Sequence, residues 1–210
     1  MRKNLSWLGL VIGVMLAGVI LLTGMGCESQ PNVAAVMPPP AEIPVANLPP
    51  SLRQTNWSHP GNGEGSCVHA SSMSPFRWQG KFELAEQWRR RYAGGETAYS
   101  ILNKWVANRI PFTFTEEGDP SFLEWATQTR RGAIIWYYPS HCVTFVGFAK
   151  LEEHGGQEFA FIIDNNRTGQ FIAIEKWAFI RAWRGYGGFA ATALFTPAGP
   201  LPWPAYRLIE

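Results

Sequence analysis

Three side chains have the types, order and setting for nucleophilic acyl chemistry: Cys67, His141 and Asp164. Cys67 follows a Gly-rich loop, Trp57 to Ser66 (WSHPGNGEGS), and opens an expected helix. A helix N-terminus carries partial positive charge and backbone N–H groups without intrahelical partners. It therefore favours a thiolate over a thiol and offers donors to an oxyanion. His141 opens the expected strand HCVTFVGF after the turn at Pro139-Ser140, where a strand start presents its imidazole to a cleft. Asp164 ends the next expected strand, in IIDNN. Paired as a hairpin, the two strands bring the carboxylate beside the imidazole, to orient the ring and stabilise its charged form. Asn165 is an alternative orienter. Taken singly, Cys67 reads as a buried small hydrophobe and His141 as a structural histidine. Together the three form a nucleophile, a base and an orienter.

The remaining histidines fit these roles less well. His69 lies two positions past Cys67, nearly on the far side of a helix, and is a poor base for it. His59 sits in the loop before Cys67, where it can line a cleft, and His154 falls in the solvated turn EEHGG. A zinc site from His59, Cys67, His69 and His141 lacks the closely paired ligand spacing that marks such sites. The chain has three cysteines, an odd count. An exported protein would by default pair Cys67 with Cys142. Strand alternation argues otherwise: with His141 turned to Cys67, Cys142 turns away into the core.

The elements that must position these groups are legible in outline. Cys67 to Ser74 reads as a short helix that Pro75 ends or kinks. Phe82 to Tyr92 is a helix closed by Gly94-Gly95, and Thr97 to Arg109 is another, with Ile101, Trp105 and Val106 on one face. Pro111 to Thr115 reads as a strand. Asp119 suits an N-cap and Pro120 the first helical position of a helix reaching Arg130, which Gly132 stops. Ala133–Tyr138, His141–Phe148, Glu158–Asp164, Gln170–Ile174 and Phe189–Phe195 read as strands, with a short helix from Phe179 to Arg184. Helices first and antiparallel strands after them mean α+β, with N-terminal helices packed on a C-terminal sheet. The Pro-rich tail, Thr196 to Glu210, reads as a surface segment.

Ten Trp and thirteen Phe argue for a sizeable core and against disorder. Trp57 and Trp78 are candidates to line a groove, although core packing is the commoner use. A net charge of +2, with Arg89-Arg90-Arg91 as the one basic cluster, gives no nucleic-acid footprint; the cluster reads as a solvated helix face.

Ahead of the domain, residues 1–27 have the layout of an export signal. Arg2 and Lys3 precede an uncharged apolar run from Leu8 to Leu22, then Gly24, Gly26 and Cys27. TGMGC resembles a bacterial lipoprotein box, in which the cysteine is acylated. Cleavage, an uncleaved anchor and a lipid on Cys27 are all compatible with these residues. Residues 28–51, with Pro38-Pro39-Pro40 and Pro49-Pro50, form a semi-rigid spacer. Residues 52–210 form the domain. The expected location is the outer side of a membrane, with the N-terminal segment as the membrane partner.

GEGSCVHAS resembles the nucleophile segment of papain-like cysteine peptidases. FLEWATQTRRGAIIWYYPSHCVTFVGF resembles their helix–strand–His-strand block, and FAFIIDNN the strand ending in the third triad member. The nearest branch is the bacteriocin-processing, double-glycine-leader peptidases. Over roughly Gln54 to Phe195 the resemblance implies a papain-like fold, with Cys67 as nucleophile, His141 as base and acid, and Asp164 as orienter. It also implies a peptide or protein substrate and no cofactor or metal. The family places a Gln shortly before the Cys to complete the oxyanion hole; here Asn62 and Gln54 are the amides in that region. A catalytically silent domain that binds a peptide or surface protein, and transglutaminase-like acyl transfer, are the alternatives.

Overall fold

The computed structural model describes residues 49–195. The export segment with Cys27, most of the Pro-rich spacer and the tail from Thr196 lie outside the described residues. Among the described residues no helix is long and apolar enough to cross a membrane.

After a 3-10 turn at Pro50–Leu52 the elements are α1 Cys67–Trp78, α2 Phe82–Arg91, α3 Ala98–Ala107, β1 Phe112–Thr115, α4 Pro120–Gln128, β2 Ala133–Trp136, β3 Cys142–Leu151, β4 Gln157–Ile163, β5 Ile172–Glu175, α5 Lys176–Gly185 and β6 Ala190–Ala193. The strands form one sheet in the order β1-β6-β2-β3-β4-β5, and every pairing is antiparallel. The protein is α+β.

Alternate residues of the central strands bury against different helices, as a period of two requires. Ile134, Cys142, Ala191 and Ala193 pack with Val68, Met73 and Phe76 of α1, Trp88 of α2 and Trp105 of α3. Ala133, Ile135, Val143, Phe145 and Ala190 pack with Leu123 of α4 and with Phe179, Ile180 and Trp183 of α5. The sheet is therefore covered on both faces, where the sequence pattern suggested one helical layer. The reason lies in α5. Its Phe179, Ile180 and Trp183 follow helical spacing, and Glu175 caps it by accepting the N–H groups of Trp177 and Ala178, so it starts earlier and buries a full stripe.

α1 runs through Pro75 instead of ending at Ser74. A proline removes the N–H that would bond to the carbonyl four residues back, here Ser71 O. Thr144 Oγ1 of β3 donates to that carbonyl at 3.2 Å. A side chain from the sheet thus satisfies the acceptor that Pro75 leaves open and lets the helix continue.

Candidate active site

Cys67 is the first residue of α1. Ser66 is its N-cap, but the Ser66 hydroxyl accepts the Gly94 N–H at 2.8 Å, and α1 has no side-chain cap. The segment before it is a small hairpin, not an open loop. Ser58 bridges Gly65, His59 N–H donates to Glu64 O at 2.7 Å, and Ser66 N–H donates to Trp57 O at 2.8 Å.

His141 comes from the turn between β2 and β3. Tyr138 (φ 71°) and Ser140 (φ 53°) adopt left-handed backbone conformations, which cost about 1–3 kcal/mol each for residues with a side chain. Tyr137 N–H donates to His141 O at 3.1 Å and closes the turn. The Tyr138 ring stacks on the imidazole, with centroids 6.2 Å apart. β4 leaves the sheet at Ile163, opposite Thr144, and delivers Asp164 to the same place. Asp164 Oδ1 lies 3.0 Å from His141 Nε2 and accepts the Asn166 N–H at 2.9 Å. Burial opposes the Asp164 charge. The hydrogen bonds from His141 and Asn166, with the His141 and Arg167 charges, outweigh it and hold the carboxyl below its usual pKa. An ionised Asp164 can only accept, so Nε2 carries a proton and donates. In the neutral ring the basic nitrogen is then Nδ1.

Asn165 does not orient the imidazole. Its side-chain NH2 reaches Cys67 O at 3.0 Å, Ser71 Oγ at 2.9 Å and Cys142 O at 2.8 Å. Ser71 Oγ in turn donates to Cys142 O at 3.0 Å. One buried amide thus ties the first residue of α1, Cys67, to the first residue of β3, Cys142, which follows His141 in the chain. Cys67 and His141 line one cleft of about 810 Å³, together with Glu64, Trp136, Tyr138 and Tyr186.

Comparison with protein-family models, curated proteins and solved structures gives no match to this chain.

Several expectations change here. Cys142 is buried in the core as expected, but it does not turn away from Cys67: the two share one buried cluster and line one cleft, and no disulfide joins them. The alternation argument fails because β3 begins at Cys142, so His141 belongs to a turn and not to a regular strand. Neither Asn62 nor Gln54 lines the cleft. Asn62 is exposed and bonds through both ends of its amide to Glu64, at 2.9 and 3.3 Å. The Gln54 amide donates to Thr55 O and accepts from Arg77. Trp57 packs under Arg89, whose guanidinium carbon sits 3.7 Å from its ring, and Trp78 donates to Arg130 O; the aromatic residues of the cleft are Trp136, Tyr138 and Tyr186 instead. His59 and His154 lie outside the cleft lining. Among the described residues no three His, Cys, Asp or Glu side chains are grouped to hold a metal ion.

His69 is enclosed beside Trp88, Tyr92 and Glu96. Trp88 Nε1–H, which can only donate, reaches His69 Nδ1 at 3.2 Å, so the ring is neutral with its proton on Nε2, 3.3 Å from Glu96 Oε1. Burial is the chief cause of its pKa falling to about 4, against a raising effect of Glu96. Between that value and the ordinary 6.5 the unfolded chain binds more protons than the folded one. The stability tied to neutral His69 is complete above the upper value and lost as pH falls through the window. The expected loss is about 3 kcal/mol, read as a falling urea midpoint. His69→Gln, which keeps an acceptor for Trp88 and a donor for Glu96, should flatten that slope.

Sequence reasoning does not single out Ser71, Thr144 or Tyr138. Pro75 is a faint signal for Thr144, since a proline inside a helix implies a carbonyl needing an outside donor.

Proposed function

We propose that this chain is an exported, membrane-tethered cysteine hydrolase of papain-like type, acting on peptide or protein amides through Cys67, His141 and Asp164. The observation that carries the reading is the buried His141–Asp164 hydrogen bond of 3.0 Å on a cleft that also holds Cys67 at an uncapped helix N-terminus. The order of the three residues and the helix-then-sheet arrangement support the papain-like assignment.

In this reading Cys67 Sγ gives its proton to His141 Nδ1 and attacks the carbonyl carbon as a thiolate. The carbonyl π pair moves to oxygen, where N–H groups of the first turn of α1 stabilise it. The tetrahedral adduct collapses, the C–N bond breaks, and the imidazolium returns its proton to the leaving amine. Water, deprotonated by His141, then cleaves the thioester, releasing the acid and the thiol. Asp164 keeps the Nε2–H tautomer throughout and stabilises the imidazolium.

The test is alkylation of the full-length chain with iodoacetamide at neutral pH, followed by mass mapping. Cys67 is expected to react at least about 10-fold faster than Cys142, and to slow by a similar factor in His141→Gln. Alkylation of Cys67 at the rate of an ordinary thiol, unchanged in His141→Gln, would overturn the reading. So would a Cys67–Cys142 disulfide in the protein taken from its native compartment.

A further inference from the structure

The charge around the cleft is one-sided. Among the described residues no lysine or arginine lines it, whereas Glu64 and Glu96 do. Glu96 is already compensated: Lys104 Nζ lies 2.6 Å from its Oε1, and His69 Nε2 lies 3.3 Å away. Glu64 has no such partner. Among the described residues no cationic group forms an ion pair with it, and its recorded side-chain contact is the neutral Asn62 amide. The neighbouring His59 accepts the Gly61 N–H on Nδ1 at 3.0 Å.

Glu64 is also held in place. It closes the hairpin that ends three residues before Cys67, through its carbonyl bond to His59 N–H. Its carboxylate rests on Gly94 and Gly95: a Cβ on Gly95 would collide with Oε1, and one on Gly94 would lie 3.3 Å from Oε2. Gly94 has φ 92°, a conformation that glycine adopts at no steric cost. The lining also holds three large aromatic side chains. Trp136 from the end of β2, Tyr138 from the strained turn and Tyr186 from the end of α5 give flat apolar surface. An exposed carboxylate without an ion-pair partner, lining the same cleft as Cys67 and the three aromatic side chains, suits a cationic side chain on an aliphatic stem.

We infer that the cleft takes a peptide with a lysine or arginine within two residues of the attacked carbonyl, and that Glu64 reads that side chain. This specificity rests on the hydrolase reading above. It gives a role to the seat that Gly94 and Gly95 offer the carboxylate. An acidic peptide is disfavoured, since Glu64 would face a like charge with no basic side chain in the lining to offset it.

The test uses the full-length chain and peptidyl chloromethyl ketones that differ only in lysine, norleucine or glutamate at each of the two positions nearest the ketone. Alkylation of Cys67 is followed by mass mapping. At one of those positions the lysine probe is expected to react about 10-fold faster than norleucine, and glutamate slower still. The lysine-to-norleucine ratio should fall towards one in Glu64→Gln, invert in Glu64→Lys and shrink at high salt. Gly95→Ala, which displaces the carboxylate, should lower the ratio as Glu64→Gln does. Equal rates for lysine and norleucine, or a lysine preference that survives in Glu64→Gln, would overturn the inference while leaving the hydrolase reading intact. Failure of every probe to alkylate Cys67 would sink the hydrolase reading and the inference together.

Discussion

Replacing Cys67 with alanine is expected to lower amide hydrolysis by the full-length chain at least about 1000-fold, and adding His141→Ala should cost almost nothing more. In the proposed mechanism the two groups act as one unit: without the thiol there is nothing for the imidazole to deprotonate, and without the imidazole the thiolate is scarce. Groups with independent roles would multiply their losses. Asp164 divides the question further. Asp164→Asn keeps an oxygen to accept the His141 Nε2–H and the Asn166 N–H, now at 3.0 and 2.9 Å, and loses only the charge opposite the imidazolium. Asp164→Ala removes the acceptor and frees the ring, so it should cost about 10-fold more than Asp164→Asn. Hydrolysis of a peptide substrate by the wild type, these four variants and His141→Ala, with circular dichroism to verify folding, measures the losses. Multiplicative losses in the Cys67/His141 pair would show that they do not share a step.

Asn165→Leu should be the most damaging single change away from the reacting atoms, costing about 3 kcal/mol or more of stability. Asn165 is 2% exposed and its NH2 serves Cys67 O, Ser71 Oγ and Cys142 O, so leucine removes these donors from a buried junction. Asn165→Asp is close in shape but turns the NH2 into a further acceptor facing acceptors, and is expected to be at least as harmful. Ser71→Ala removes one member of the same network and should cost about 1 kcal/mol. Because these groups polarise one another, the Asn165/Ser71 double-mutant cycle should return a coupling of about 1 kcal/mol. Urea denaturation of the four proteins gives the cycle. A coupling near zero would mean that Asn165 and Ser71 stabilise the junction separately.

Much of the layout follows from local chemistry. Asp119 caps α4 as its side-chain type implies, accepting the Ser121 N–H at 2.9 Å, with Pro120 in the first turn. Thr97 and Ser100 form a reciprocal cap on α3. Ile101 and Trp105, four apart, both bury, while Val106 is exposed because the helical face has turned past the core by that residue. The segments that slipped were those where local and distant effects compete. Pro75 is a local stop signal overruled by Thr144, more than sixty residues later in the chain. The start of β3 was read one residue early because His141 looks like a strand residue among its neighbours, whereas left-handed Tyr138 and Ser140 show that the turn extends to it.

By itself the sequence determined the residue types available for chemistry, their order, the helix-then-strand segregation and the cap that starts α4. These depend on side-chain chemistry and on spacings within one or two turns of chain. Tertiary structure alone decided that Asn165 clamps and Asp164 orients, although they are neighbours in sequence and both carry the right oxygen. It also decided that Cys142 joins the cleft and that Glu64 stands uncompensated while Glu96 does not. Each of these is settled by what arrives from a distant segment: the carbonyls of Cys67 and Cys142, the ring of His141, the ammonium of Lys104. A pattern of period two or 3.6 says which face a residue takes, but not which partner the folded chain brings to it.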